Sequence, residues 1–180
     1  MDTHLNQIKP IVDLPVGQQL QDKYGVLLGP FIIDTGNSFN RDRDVTIPNI
    51  KRWLFHGKGP FAGGRTEVAY SITTSVARRE SRADAPDIHT YCVSFSADSR
   101  LKLDFSKSFN FNPKSLEYME SSKGHDSFYQ LVSLGRSFGH GFVKLKDKNP
   151  YSPLIIDPKY LQDDRDVQAV VEGMISISIN

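Results

Sequence analysis

The chain has 180 residues, with 22 basic and 21 acidic side chains and a formal net charge of +1. That length holds one domain with a real core, and 38% hydrophobic residues is too many for a chain disordered throughout. The charge balance argues against a nucleic-acid binder, which carries a basic excess on one face. Charge-rich runs such as "NRDRD" (40–44) and "DDRD" (163–166) read as solvated loops and helix ends. Cys92 is the only cysteine, so no disulfide forms within the chain. The longest apolar run, "YGVLLGPFII", spans ten residues, about half of what a membrane span needs. The polar opening "MDTHLNQIKP" lacks the apolar centre of a signal peptide.

In chain order, "IKPIVDLPVGQQLQDKYG" is rich in turns, with φ fixed at Pro10 and Pro15 and a sharp bend permitted at Gly17. "QQLQD" is expected to make one helical turn. "GVLLGPFIID" (25–34) reads as a buried strand interrupted at Gly29-Pro30. Residues 35–45 form a polar loop. A helix follows, capped by Thr46, with Pro48 in its first turn and Gly57 closing it. Ile47, Ile50, Trp53 and Leu54 share one face of it.

"GKGPFAGG" is a loop, because glycines and proline are costly inside regular elements. "TEVAYSIT" (66–73) and "IHTYCVSFS" (88–96) alternate as strands, the first with Val68, Tyr70 and Ile72 on one side, the second with Tyr91, Val93 and Phe95. The segment between them reads as a polar connection. "LKLDFSKSFNFNP" (101–113) alternates and then dissolves into a loop, and "PKSLEYMES" makes a short helix. "SFYQLVSLG" (127–135) and "GFVKLK" (141–146) are further strands, and "PLIID" is a short one after a proline-marked turn. The last helix is capped by Asp163 or Asp164, has Asp166 at its positive end, and buries Val167, Val170, Val171, Met174 and Ile175. The final "ISISIN" switches to an alternating period. About five strands with a few helices give an α+β domain, a mostly antiparallel sheet backed by helices.

Chemical motifs are sparse. The five histidines, His4, His56, His89, His125 and His140, stand at no metal-ligand spacing. "HDS" (125–127) holds the residue types of a triad, but adjacent residues cannot converge in triad geometry. Cys92, between Tyr91 and Val93, reads as a packed core residue rather than a nucleophile. "GKGPFAGG" lacks the spacing of a phosphate loop, and GxGxxG is absent.

Three segments together resemble the glucose–methanol–choline oxidoreductases, and within them the glucose-dehydrogenase-like branch. "IKPIVDLPVGQQLQDK" (8–23) is similar to the family's DLPVGxNLQDH pattern at Asp13, Leu14, Pro15, Val16, Gly17, Leu20, Gln21 and Asp22, with Gln19 in place of the usual asparagine and Lys23 in place of histidine. "GKGPFAGGRTEVAY" (57–70) resembles the GxGPL…GGxEA segment at Gly57, Gly59, Pro60 and Glu67. The run 141–173 resembles SRGxVxLxSxNPxxxPxIDPxYLxxxxDxxxLVEG at Gly141, Val143, Leu145, Asn149, Pro150, Pro153, Ile156, Asp157, Pro158, Tyr160, Leu161, Asp166, Val171, Glu172 and Gly173. Gly139 and His140 replace its usual Ser-Arg.

The resemblance implies the middle of an FAD-dependent oxidoreductase acting on the CH–OH group of an alcohol or sugar. Residues 1–24 would flank the FAD domain, and 25–180 would form the substrate-binding domain, ending before the catalytic C-terminal histidine. It implies Pro15, Gly17 and Gln19 as cofactor neighbours, assigns no catalytic residue, and leaves FAD binding by this chain alone doubtful. The substrate would be a small alcohol or sugar met in the full-length parent. No nucleic acid, metal or membrane span is implied, and the oligomeric state stays open. Members of this branch are often secreted. A non-catalytic descendant that binds a small molecule or a partner is the alternative. Apolar surface is expected around Trp53, Tyr70 and Phe95, with marginal stability.

Overall fold

The structure, a computed structural model, describes residues 11–34, 36 and 38–178. His4, Pro10 and the start of the first family-like segment lie outside these residues, as do Ile179 and Asn180. So does the side chain of Glu67. Chain contacts divide into two units. One comprises the chain up to Gly25, Ile72–Ile88 and the chain from Ser133 on. The other comprises Val26–Ser71 and His89–Val132.

The second unit holds most of a four-stranded antiparallel sheet in the order β1-β4-β3-β2. Its strands are β1 (Gly25–Ile33), β2 (Thr66–Ile72), β3 (Ile88–Ser94) and β4 (Asp126–Leu134). The α+β reading with a largely antiparallel sheet therefore holds. β1 runs unbroken through Gly29-Pro30, as an edge strand can. β2 is the other edge. Its alternation is visible in sequence, yet Val68 and Tyr70 are exposed, because an edge strand has one neighbour and here no cover on that face.

Two short helices lie where loops were expected. α1 (Arg41–Asp44) is capped by the Asn40 side chain, and α3 (Ser75–Arg79) by Thr74. α2 (Ile47–His56) has the expected ends. Thr46 accepts from the Asn49 N–H, and Gly57 at φ 62° returns its N–H to the Trp53 carbonyl. Its apolar residues are all at least partly exposed, Trp53 by 46%. "QQLQD" forms no helical turn. Leu20 instead bridges to Gly141 as a short extended pairing.

The largest departure is α4 (Leu101–Phe109), a helix where alternation and a loop were expected. Leu101, Phe105 and Phe109 recur at i, i+4 and i+8, a helical stripe hidden under the alternation of "LKLDF". This helix changes the fate of Phe95. Rather than exposed, it is 8% accessible, stacked on Tyr129 with centroids 4.4 Å apart and flanked by Phe105 at 5.5 Å. Phe95, Ala97, Leu101, Leu116, Met119 and Tyr129 make the core of this unit. A 3-10 helix, Pro113–Ser122, supplies Leu116, Met119 and Ser122 to the interior. They are three residues apart, as a three-residue turn requires to keep one face.

In the first unit, β5 (Phe142–Lys144) and β6 (Ile155–Asp157) pair antiparallel, with Val143 opposite Ile156. The connection between them is built on side-chain turns. The Asn149 N–H donates to Asp147 at 2.8 Å, and the Tyr151 N–H to the Asn149 side chain at 3.1 Å. Gly141 is required here, since a Cβ would meet the Asp157 carbonyl at 2.1 Å. α5 (Asp164–Ser178) is capped by Asp163, which accepts from the Arg165 N–H. The helix runs on through the alternating "ISIS". Its buried face is Asp166, Ala169, Val170 and Gly173. The expected stripe holds only in part: Val170 is buried and Met174 half-buried, while Val167, Val171 and Ile175 stay exposed. α3 lies close to α5, and Glu172 ties the two helices through the Ser75 N–H and hydroxyl at 2.7 and 2.5 Å.

Replacing Met119, fully buried, by alanine should lower stability by about 2–5 kcal/mol. Val68→Ala on the open edge should cost under about 1 kcal/mol. Urea denaturation of the two variants checks the ranking, and equal losses would contradict this packing.

Candidate functional site

The residues expected beside a cofactor sit in an exposed turn of the first unit. Pro15 accepts from the Gln18 N–H at 3.3 Å, and Gly17 takes φ 73°. The Gly17 carbonyl accepts from the Val143 N–H at 2.7 Å, and a Cβ on Gly17 would lie 2.2 Å from the Val143 carbonyl oxygen. Glycine is thus demanded by the strand beside it, and the space it leaves is filled by the chain itself. Leu20 and Gly141 exchange both main-chain hydrogen bonds, at 3.1 and 2.8 Å. Gln21 donates to the Ser137 carbonyl at 3.0 Å, and the Tyr160 hydroxyl donates to Asp22. Pro15 and Gln19 are both exposed.

In the second unit, a cavity of about 410 Å³ is lined by Ser38, Phe39, Arg43, Asp44, Arg65 and Ser94, with the loop glycines Gly59 and Gly63. Beside it lies a charge cluster. Asp126, 3% accessible, accepts a forked pair from Arg43 Nη1 at 2.8 and 3.0 Å. It also accepts from the main-chain N–H groups of Gly36 and Ser38 and from the Ser96 hydroxyl at 3.3 Å. Ser96 and Ser38 share a hydrogen bond of 2.6 Å. Arg43 Nε and Nη2 also donate to Asp44 at 2.7 and 2.8 Å. Arg65 lies over the Phe39 ring at 3.8 Å.

Two sequence readings change here. "NRDRD" is not merely a solvated loop: Asp44 is buried and Arg43 is the clasp of the cluster. "HDS" is no triad, but its middle residue is the cluster's centre. The sequence signal was weak: Asn40 three residues ahead of Arg43 marks a helix cap, and Asp126 opens a strand whose partners are some 80 residues away.

Burial pushes the Asp126 carboxyl up, but Arg43 and the two main-chain N–H groups outweigh it and hold it below the ordinary 3.8. Hydrogen bonding from Arg43 holds Asp44 down as well, against burial, and both partners push the Arg43 guanidinium up. Carboxylates so strongly engaged make poor proton acceptors, so the cluster is built to stay charged. The side chain that the cavity offers for hydrogen-bond donation is the Arg65 guanidinium. Elsewhere in this unit the Ser71 hydroxyl meets His89 Nδ1 at 2.8 Å, and Cys92 is half-buried. Among the described residues no group of three or more His, Cys, Asp or Glu is placed to hold a metal ion, and no helix is long and apolar enough to cross a membrane.

A carboxyl held below its unfolded value adds stability that is present above about pH 4 and lost as pH falls through the folded value. Asp126→Asn should therefore cost about 1–3 kcal/mol at pH 7, and the gap to the parent should narrow as pH falls below about 4. Denaturant midpoints across that range check it; a gap that stays constant would contradict the assignment.

No family model matches the chain. Similar proteins include dehydrogenase str4 of Strobilurus tenacellus, 28% identical over 92% of this chain and 27% of that protein. The alcohol oxidases of Pichia angusta and Candida boidinii are 26% and 25% identical, each over 91% of this chain and 25% of the relative. The chain thus spans about a quarter of the length of the curated relatives it matches. Among solved structures, a formate oxidase of Aspergillus oryzae, studied for modification of its FAD, superposes with a TM-score of 0.68 at 19% identity. That match covers 98% of this chain and 32% of the oxidase.

Proposed function

We propose, on the premise that this chain is of the glucose–methanol–choline oxidoreductase kind, that it forms the substrate side of an FAD-dependent enzyme oxidising the CH–OH group of a small alcohol or sugar. The observation that carries this is the match of nine-tenths of the chain to alcohol oxidases and a dehydrogenase. In this reading residues 25–180 are the substrate-binding part, and residues 1–24 border the cofactor.

The turn fits a cofactor neighbour in part. Pro15 and Gln19 are exposed, and the Gln19 N–H makes no hydrogen bond among the described residues. Pro15 would offer a flat apolar surface and Gln19 amide donors, while Gly17 serves by allowing the turn against Val143. When bound, a flavin supplies the hydride acceptor. The cavity at Phe39 and Arg65 has the size of a small-ligand site, and its guanidinium can orient a polyol. The carboxylates beside it are bound too firmly to serve as the base that removes a hydroxyl proton. We therefore infer that these 180 residues are inactive by themselves.

The alternative, a binding module without turnover, is favoured by the same cavity. Titrating purified protein with FAD, followed by flavin fluorescence, separates the readings. Weak, non-stoichiometric binding is expected. Tight one-to-one binding would overturn the inference of inactivity, and saturable glucose binding without flavin would favour the module.

A further inference from the structure

Unlike the other described helices, α2 buries none of its residues. Ile47, Ile50, Trp53 and Leu54 follow the three- and four-residue spacing of one helix face, and Phe55 flanks it. Ile47 and Phe55 are each 71% accessible, and Leu54 is 66% accessible. Trp53 meets the Phe61 ring with centroids 6.2 Å apart and still stays half exposed. Five large apolar side chains on a helix of 10 residues form a patch, unlike the single apolar residues scattered over an ordinary surface.

The charge around this face is of one sign. From Val45 to Thr66 the chain holds Lys51, Arg52, Lys58 and Arg65 and no Asp or Glu, although the whole chain is nearly neutral. None of these four cations is ion-paired among the described residues. The carboxylates just before the helix are committed elsewhere. Asp44 is held by Arg43, and Asp42 accepts from the Ser99 N–H and hydroxyl at 2.9 and 2.6 Å. Leu54 and Phe55 stand three and four residues after Lys51, so the lysine stem lies between them and its ammonium can reach past them.

We propose that the apolar face of α2 docks on an anionic lipid bilayer, with the helix lying in the plane of the headgroups. Aromatic and aliphatic residues on one face, basic residues beside it and no acidic residue are the make-up of an interfacial helix, and tryptophan suits the headgroup level. A helix of 10 residues lies on a membrane and does not cross it. Charge decides among the occupants. A second copy would set Lys51 and Arg52 against their own kind. A nucleic acid would meet the cations but leave the apolar side chains in water. A bilayer with anionic headgroups answers both. This surface is independent of the flavin reading.

Trp53 is the only tryptophan, so its fluorescence reports on this face. Titrating the full chain with vesicles of phosphatidylcholine containing about 30% phosphatidylserine should shift its emission to shorter wavelength, and dibrominated acyl chains should quench it. Vesicles of phosphatidylcholine alone should do neither. Lys51→Ala should weaken partitioning about fivefold, and Leu54→Ser at least about tenfold. Both side chains are exposed, so their replacement leaves the fold intact. Tyr151→Ser, at an exposed aromatic residue of the other unit, should leave partitioning unchanged. No shift up to about 1 mM lipid, equal shifts with both kinds of vesicle, an equal loss in the Tyr151 variant, or a lipid-free dimer that Leu54→Ser dissociates would each overturn the proposal.

Discussion

A carboxylate taken out of water has to be met by donors on every side, and that demand organises both units of this chain. In the second, Asp126 gathers Arg43, Ser96 and the Gly36 and Ser38 main chain, and so anchors the loop after β1 to the start of β4. In the first, Asp166 takes the Ser137 hydroxyl at 2.7 Å and the Phe138 and Gly139 N–H groups, fixing the approach to β5 on the first turn of α5. Asp87 does the same for the start of α3 through the Thr74 N–H and hydroxyl, at 2.9 and 2.5 Å. Each is a buried carboxyl bound to a different stretch of chain, so each tolerates few alternative chain paths.

The same demand bears on chemistry. The buried carboxylates are the groups that most resemble catalytic acids and bases, yet their oxygens are committed to holding backbone in place. The glycine and aspartate punctuation of the run 141–173 is likewise explained by geometry. Gly141 admits the Asp157 carbonyl, and Asp157 itself accepts from the Lys159 N–H at 3.0 Å. Asp163 caps a helix. These residues shape a path for the chain, and nothing in their surroundings asks for a reactant.

Local rules were readable where one short segment decides the outcome. Thr46, Pro48 and Gly57 announce α2 because caps depend on a few neighbouring atoms. The β5–β6 pair follows from a strand, a proline-marked turn and a second strand. Where two periods compete, the sequence misled: "LKLDF" alternates, but Leu101, Phe105 and Phe109 also fit a helix, and packing over Phe95 and Tyr129 decided between them. On α5, size misled in part: Val170 is buried as its size suggests, but Ala169 and Gly173 are buried while Val167 and Val171 are exposed. The Asp126 cluster was not legible at all, since its members are separated by some 80 residues and none has an unusual neighbour. Of the cofactor neighbours, Gly17 was recognisable as a turn former, while its contact with Val143 was not.

On the proposed reading, the buried carboxylates of this chain hold structure and the redox step falls to other groups. Dye-coupled oxidation of methanol, ethanol and glucose by the purified 180-residue protein, with FAD added, tests that most directly. The account predicts no turnover above the protein-free rate; sustained, enzyme-dependent dye reduction with any of the three would contradict it.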